Sequence, residues 1–155
     1  MRTTAEITRL MKTRVEPTDE GAALVSAVLA RLIDRHYLDD AVFAETYTRL
    51  RKDNEKLGAR RVRQNLQQKG VAAELIAATV DASYAHTNEE ALARQHLERK
   101  RLRKPENEKE SARLMRRLVA AGFSIAIIYK ILREWDVPDE ALASLESVEE
   151  THAED

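Results

Sequence analysis

The sequence predicts an all-α protein of tandem three-helix repeats, a helical solenoid, elongated and curved, whose first repeat lacks its initial helix. Three observations predict it. Glycine and proline number only four and three in 155 residues, so few breakers interrupt the periodic stretches. No run of alternating β-branched residues marks a strand. One apolar pattern also recurs at a nearly constant interval, the mark of repeat architecture.

The elements follow in order. Thr3-Thr4-Ala5-Glu6 has the spacing of a capping box, and Ile7, Leu10 and Met11 then form one stripe. A second helix is predicted over Ala22 to Arg35, where Leu24, Val28 and Leu32 repeat every four residues beside Val25, Leu29 and Ile33. In "YLDDAVFAETYTRL", Asp39 and Asp40 supply a cap and first-turn carboxylates, and Phe43, Tyr47 and Leu50 follow on one face. "ARRVRQNLQQKG", Ala59 to Gly70, has only Val62 and Leu66 as apolar residues. Such a helix docks by a thin seam. Gly70 suits the left-handed stop after it, and Val71 can fold back as the hydrophobic partner of that stop. A helix over Ala72 to Ser83 presents Leu75, Ile76 and Val80.

Fifty-two residues on, Val62, Leu66, Gly70, Val71, Leu75, Ile76 and Val80 meet Leu114, Leu118, Gly122, Phe123, Ile127, Ile128 and Leu132. With a shift of 49, Asp39, Phe43, Ala44 and Tyr47 meet Asn88, Leu92, Ala93 and His96, and Thr87 to Glu90 reads as another capping box. The helix carrying Leu114 and Leu118 is predicted from about Pro105 to Ala121. The expected organisation is a truncated first repeat over 1–36, a second over 37–85, a third over 86–136 and an acidic tail over 137–155. A three-helix unit of this size cannot bury its seams alone, so neighbours should stack.

Charge is unevenly spread. Residues 49–133 hold 20 Lys and Arg against 10 Asp and Glu, whereas 134–155 hold 9 acids and no Lys or Arg. The tail is expected to be a short helix or disordered, screening the basic body in the free state. The absence of cysteine excludes disulfides, thiolate nucleophiles and cysteine-ligated metal. Neither a signal peptide nor a membrane-length apolar run occurs, so a cytoplasmic protein is expected.

Catalysis has no support in the residues: there is no phosphate-cradling glycine loop, no glycine-flanked serine and no histidine pair at metal-binding helical spacing. No cofactor and no metal are expected. His96 takes the repeat position of Tyr47 and is expected in the core, and Trp135 is expected to pack the end of the last unit, with an exposed anchor for a partner as the alternative. The helix Ala72 to Ser83 offers no Arg, Lys, Asn or Gln, which argues against base readout in a major groove. Aromatic residues make up 5% of the chain and most take core-facing positions, which gives binding by base stacking weak support. Basic residues instead recur on outer faces: Arg60, Arg61 and Arg63; then Arg99, Lys100, Arg101, Arg103 and Lys104; then Arg113, Arg116 and Arg117. At 100° per residue the last three lie opposite Leu114, Met115 and Leu118. These eleven are the candidate contacts to a polyanion or to a protein bound to one.

"YLDDAVFAETYTRLRK" followed by "GARRVRQNLQQKGV" resembles the central signature of the RecX family, bacterial regulators of the RecA recombinase. The likeness covers about Thr3 to Trp135, and "LMRRLVAAGFSIAIIYKIL" is similar to the family's final repeat. Leu38, Asp39, Asp40, Phe43, Ala44, Leu66, Lys69 and Gly70 carry the motif as structural positions. The resemblance implies a non-enzymatic protein that binds the groove of the RecA–DNA filament and inhibits ATP hydrolysis and strand exchange. It would thereby modulate recombination, DNA repair and the SOS response. The implied partners are the RecA filament and, more weakly, single- and double-stranded DNA, with no membrane and a monomeric chain. The alternatives are a general nucleic-acid-binding helical repeat protein and a protein-only adaptor. Where the family usually has glycine this chain has His36, and a different turn is expected there.

Overall fold

The computed structural model describes residues 1–143, and all regular structure in them is helical: α1 (Thr4–Lys12), α2 (Asp19–Asp34), α3 (Asp40–Asp53), α4 (Ala59–Gln68), α5 (Ala73–Tyr84), α6 (Glu89–Arg99), α7 (Glu108–Ala120) and α8 (Ile125–Glu134). Residues 139–143 are helical again. The acidic tail beyond them, with the screening expected of it, lies outside the described residues.

Side-chain caps set most of the starts. In α1 the Thr3 hydroxyl accepts the Glu6 N–H at 3.1 Å, and the Thr3 N–H donates to Glu6 Oε2 at 3.0 Å, completing the expected capping box. α2 begins at Asp19 rather than Ala22, because Thr18 accepts the Gly21 N–H and Asp19 and Glu20 then occupy the first turn. Asn88, not Thr87, caps α6 by accepting the Ala91 N–H at 3.0 Å. α7 starts at Glu108 with Asn107 as its cap, so Pro105 stays outside the helix. At α6 and α7 a carboxamide near the expected start is the better acceptor for an orphan N–H.

The chain divides into two compact units. Unit 1 is Met1–Arg51 with Val62–His86; unit 2 is Lys52–Arg61 with the chain from Thr87 onward. In unit 1, α1 packs on α2, and the core holds Val25, Leu38, Phe43, Ala44, Val62, Leu66, Val71, Ile76 and Val80. In unit 2, α6 and α7 both pack on α8. Its core holds Leu92, Leu97, Leu114, Met115, Leu118, Phe123, Ile128, Ile131 and Leu132. The positions paired by the 52-residue shift share their burial: Val62, Leu66, Val71, Ile76 and Val80 are buried, and so are Leu114, Leu118, Phe123, Ile128 and Leu132. Leu50 departs from expectation, being 45% exposed. α3 buries an arc centred between Phe43, Ala44 and Thr48, and helical rotation puts Leu50 at its edge.

Five helices end alike. After α4 the Gly70 N–H donates to Gln67 O at 2.9 Å and the Val71 N–H to Leu66 O at 3.1 Å, with Gly70 at φ 76°. This is the paired-bond stop in which one residue turns left-handed. Gly122 and Phe123 repeat it after α7, with Gly122 at φ 94°. His36, Arg101 and Asp136 make the same bonds at φ 58°, 53° and 57°. The turn at His36 therefore keeps the left-handed geometry, against the expectation of a different one. Its two bonds, to Ile33 O and Leu32 O, outweigh the steric penalty of a Cβ there. His36→Gly is expected to stabilise the protein by about 1 kcal/mol, the strain relieved less the added freedom of the unfolded chain. Urea denaturation checks this; an unchanged or lower midpoint would remove strain from the account.

Candidate functional site

The eleven basic residues fall on three segments, each placed by its own packing. α4 buries Val62 and Leu66 completely and leaves the rest of its circumference polar. Arg60 and Arg63 are exposed and Arg61 is half-buried. Arg63 makes an ion pair with Asp81 of α5. The second segment begins where α6 ends at Arg99. Lys100 and Arg101 form the stop, and the Leu102 N–H donates back to Leu97 O at 2.9 Å. The half-buried Leu102 thus anchors a turn on which Arg99, Lys100, Arg101, Arg103 and Lys104 are all exposed. Lys104 is 3.2 Å from Asp136. On α7, Leu114, Met115 and Leu118 face the core while Arg113, Arg116 and Arg117 are exposed on the other side.

Ten of the eleven belong to unit 2; only Arg63 lies in unit 1. Within unit 2 the first and third segments meet through backbone. The Gly58 N–H donates to Ala121 O at 2.8 Å, and a Cβ on Gly122 would stand 2.3 Å from the Arg61 nitrogen. The start of α4, with Arg60 and Arg61, is thereby fixed beside the end of α7. Apart from Arg63 and Lys104, none of the eleven has an ion-pair partner among the described residues. Nine cations are thus held on a folded scaffold without an ion-pair partner among the described residues. One more was missed: Lys109 is exposed one turn before Arg113 and also lacks an ion-pair partner among the described residues. The four-residue spacing to Arg113 carried that signal.

The family-motif positions serve the frame. Leu38, Phe43, Ala44 and Leu66 are buried. An Asp39 carboxylate oxygen accepts the Val42 N–H at 3.0 Å at the start of α3. Asp40 Oδ1 accepts from the Thr4 N–H at 2.8 Å and from the Thr4 hydroxyl at 3.1 Å. The Lys69 carbonyl takes the Thr3 hydroxyl at 2.6 Å, and its ammonium lies 3.1 Å from Glu6. Together these tie α1 to α3 and to the end of α4.

His96 holds the loop that leads into α4. It is buried, edge-on to Phe123, with Nδ1 3.2 Å from the Glu55 carbonyl. Since a carbonyl only accepts, Nδ1 carries the proton in that bond. Burial first, then the nearby Lys100 and Arg99 charges, push the His96 pKa below its usual 6.5. The folded state therefore binds this proton more weakly than the unfolded chain does, and stability falls as the pH drops below about 6.5. The slope contributed is at most about 1.4 kcal/mol per pH unit, until the folded form also takes up the proton. His96→Asn keeps a donor for Glu55 and removes the titration. It should flatten the acid limb of the stability–pH curve by one proton's worth; an unaltered limb would assign the proton elsewhere.

Among the described residues no group of His, Asp or Glu is arranged to hold a metal ion, and no described helix is long and apolar enough to cross a membrane.

Residues 39–80 match the family model described as RecX, second three-helix domain. The regulatory protein RecX of Thermobifida fusca is 35% identical over 136 residues, which cover 86% of this chain and 70% of that one. That of Mycolicibacterium vanbaalenii is 36% identical over 121 residues, covering 76% of this chain and 64% of the relative. The crystal structure of RecX from Lactobacillus salivarius superposes with a TM-score of 0.60 at 21% identity, over 88% of this chain and 86% of that one. At that identity the superposition establishes the helical fold.

Proposed function

This chain belongs to the RecX family of regulatory proteins, which act as regulators rather than enzymes, and from that premise we propose that it binds the groove of the RecA–DNA filament. There it inhibits ATP hydrolysis and strand exchange, and so modulates recombination and DNA repair. The observation that carries this reading is the set of exposed cations in unit 2 that lack an ion-pair partner among the described residues, at the start of α4, over 99–103 and along α7. Each unpaired cation near a phosphate releases a condensed counterion, so several weak contacts sum to useful affinity. The same chemistry supports weaker binding to free single- and double-stranded DNA. The chain acts as a monomer, its repeats running over 1–36, 37–85 and 86–136, with the motif residues from Leu38 to Gly70 holding the frame. Arg60, Arg61, Arg99, Lys100, Arg101, Arg103, Arg113, Arg116 and Arg117 are the contacts; Arg63 and Lys104, already paired, contribute less.

The test is the DNA-dependent ATPase of RecA with and without this protein, at several salt concentrations. Inhibition that weakens steeply with salt is expected. Equal binding to DNA whether or not recombinase is present would favour a general nucleic-acid binder. Binding to RecA without DNA, and with little salt slope, would favour a protein-only adaptor.

A further inference from the structure

Unit 2 contains a groove of about 690 Å³ between the chain entering α7 and the turn that ends α8. Its apolar lining is the half-buried Trp135 with Pro105, Val137 and Pro138. Glu106 and Glu108 also line it, both exposed, and neither has an ion-pair partner among the described residues. Its other two charges, Lys104 and Asp136, sit 3.2 Å apart and answer each other. Among the described residues, two negative charges are left over beside an indole ring. An anion finds no welcome at the positive end of α7 either. There the Asn107 carboxamide accepts the Glu110 N–H at 2.9 Å, and the Glu110 carboxylate accepts the Glu106 N–H at 2.9 Å.

We propose that this groove docks an arginine- or lysine-bearing segment of a partner protein. The cation lies against the Trp135 ring and is met by Glu106 and Glu108, while its aliphatic stem covers Pro105 and Pro138. An indole face attracts a cation through its quadrupole, and the two carboxylates nearby add direct Coulomb attraction. Long cationic side chains also suit a mixed lining, because they combine an apolar stem with a charged end. A phosphate backbone would meet the wrong sign. The groove is therefore a second surface, opposite in charge to the arginine-bearing faces and independent of the filament reading.

Trp135 is the only tryptophan in the chain, so emission excited at the red edge reports on this groove alone. The probe is a blocked pentapeptide carrying two arginines, with its two-glutamate and two-glutamine counterparts as comparisons, titrated into the whole protein. A saturable change in Trp135 emission is expected for the arginine peptide only. It should weaken at least fivefold in a Glu106→Gln, Glu108→Gln double variant and remain as in the wild type in Arg113→Glu. Trp135→Phe, followed by calorimetry, should keep binding that Trp135→Leu loses. Equal responses to the three peptides, or unaltered affinity in the double variant, would overturn the proposal. So would displacement of the arginine peptide by a single-stranded oligonucleotide, or an emission change that depends on protein concentration alone and so marks a second copy as the occupant. None of these readouts involves recombinase, so the filament reading can fail while this one stands.

Discussion

Gly122→Ala is expected to destabilise the protein by about 3 kcal/mol or more, a larger loss than Gly58→Ala or Gly70→Ala. Two effects add. A left-handed φ of 94° strains any residue with a Cβ, by roughly 1–2 kcal/mol. That Cβ would also lie 2.3 Å from the Arg61 nitrogen, 2.6 Å from the Arg61 Cβ and 2.9 Å from the Gly58 carbonyl oxygen. Two of these three are backbone atoms and cannot rotate aside. Gly58→Ala drives a methyl to 2.3 Å from the Gly122 carbonyl oxygen, so it strikes the same contact from the other side. The double variant should consequently lose less than the sum of the two singles, because the first substitution has already forced the loop off α7. Gly70→Ala is the comparison. Its Cβ meets the Ala5 Cβ at 2.4 Å, which cannot rotate aside, so α1 has to shift; the next atom lies 3.9 Å away, whereas Gly122 is hemmed in at 2.3, 2.6 and 2.9 Å, and the loss is expected to be the smaller one. Urea denaturation orders the three; a Gly122→Ala midpoint equal to the wild type would mean that Gly58 and Gly122 are not in contact.

Reversing Arg60, Arg113 and Arg116 to glutamate together should raise the concentration needed for half-inhibition of the filament at least tenfold near 0.1 M salt, and flatten its salt dependence. Stability should stay within about 0.5 kcal/mol, since all three side chains are exposed and lack ion-pair partners among the described residues. Arg63 is deliberately absent from the set. Its reversal would place like charges together at Asp81 and confound a binding loss with a local destabilisation. Full inhibition by the triple variant would reject these faces as the contact.

Helix existence, the two repeated seams and the outward direction of the arginines were legible because they rest on local periodicity. Val62 with Leu66 and Leu114 with Leu118 are each four residues apart, and such a pair must share a face whatever the helix packs against. The capping box at Thr3 was legible for the same reason, its two hydrogen bonds being closed within four residues. Boundaries were less so. At α6 and α7 adjacent polar residues compete for the same orphan donors, and only the chain's path decides whether Thr87 or Asn88, Pro105 or Asn107, stands at the first turn.

By itself the sequence determined an all-helical chain, its internal repetition and the cations it exposes, since these depend on residue order at ranges of one or two turns. Which cations find an ion-pair partner among the described residues was decided only in the tertiary structure. Arg63 finds Asp81 eighteen residues on and Lys104 finds Asp136 thirty-two residues on, while Gly58 and Gly122, sixty-four positions apart, fix the start of α4 beside the end of α7. The grouping of ten candidates into one unit, and of Trp135 with Glu106 and Glu108 in one groove, has the same origin. Contacts across such separations depend on how whole helices pack, and no local spacing encodes that.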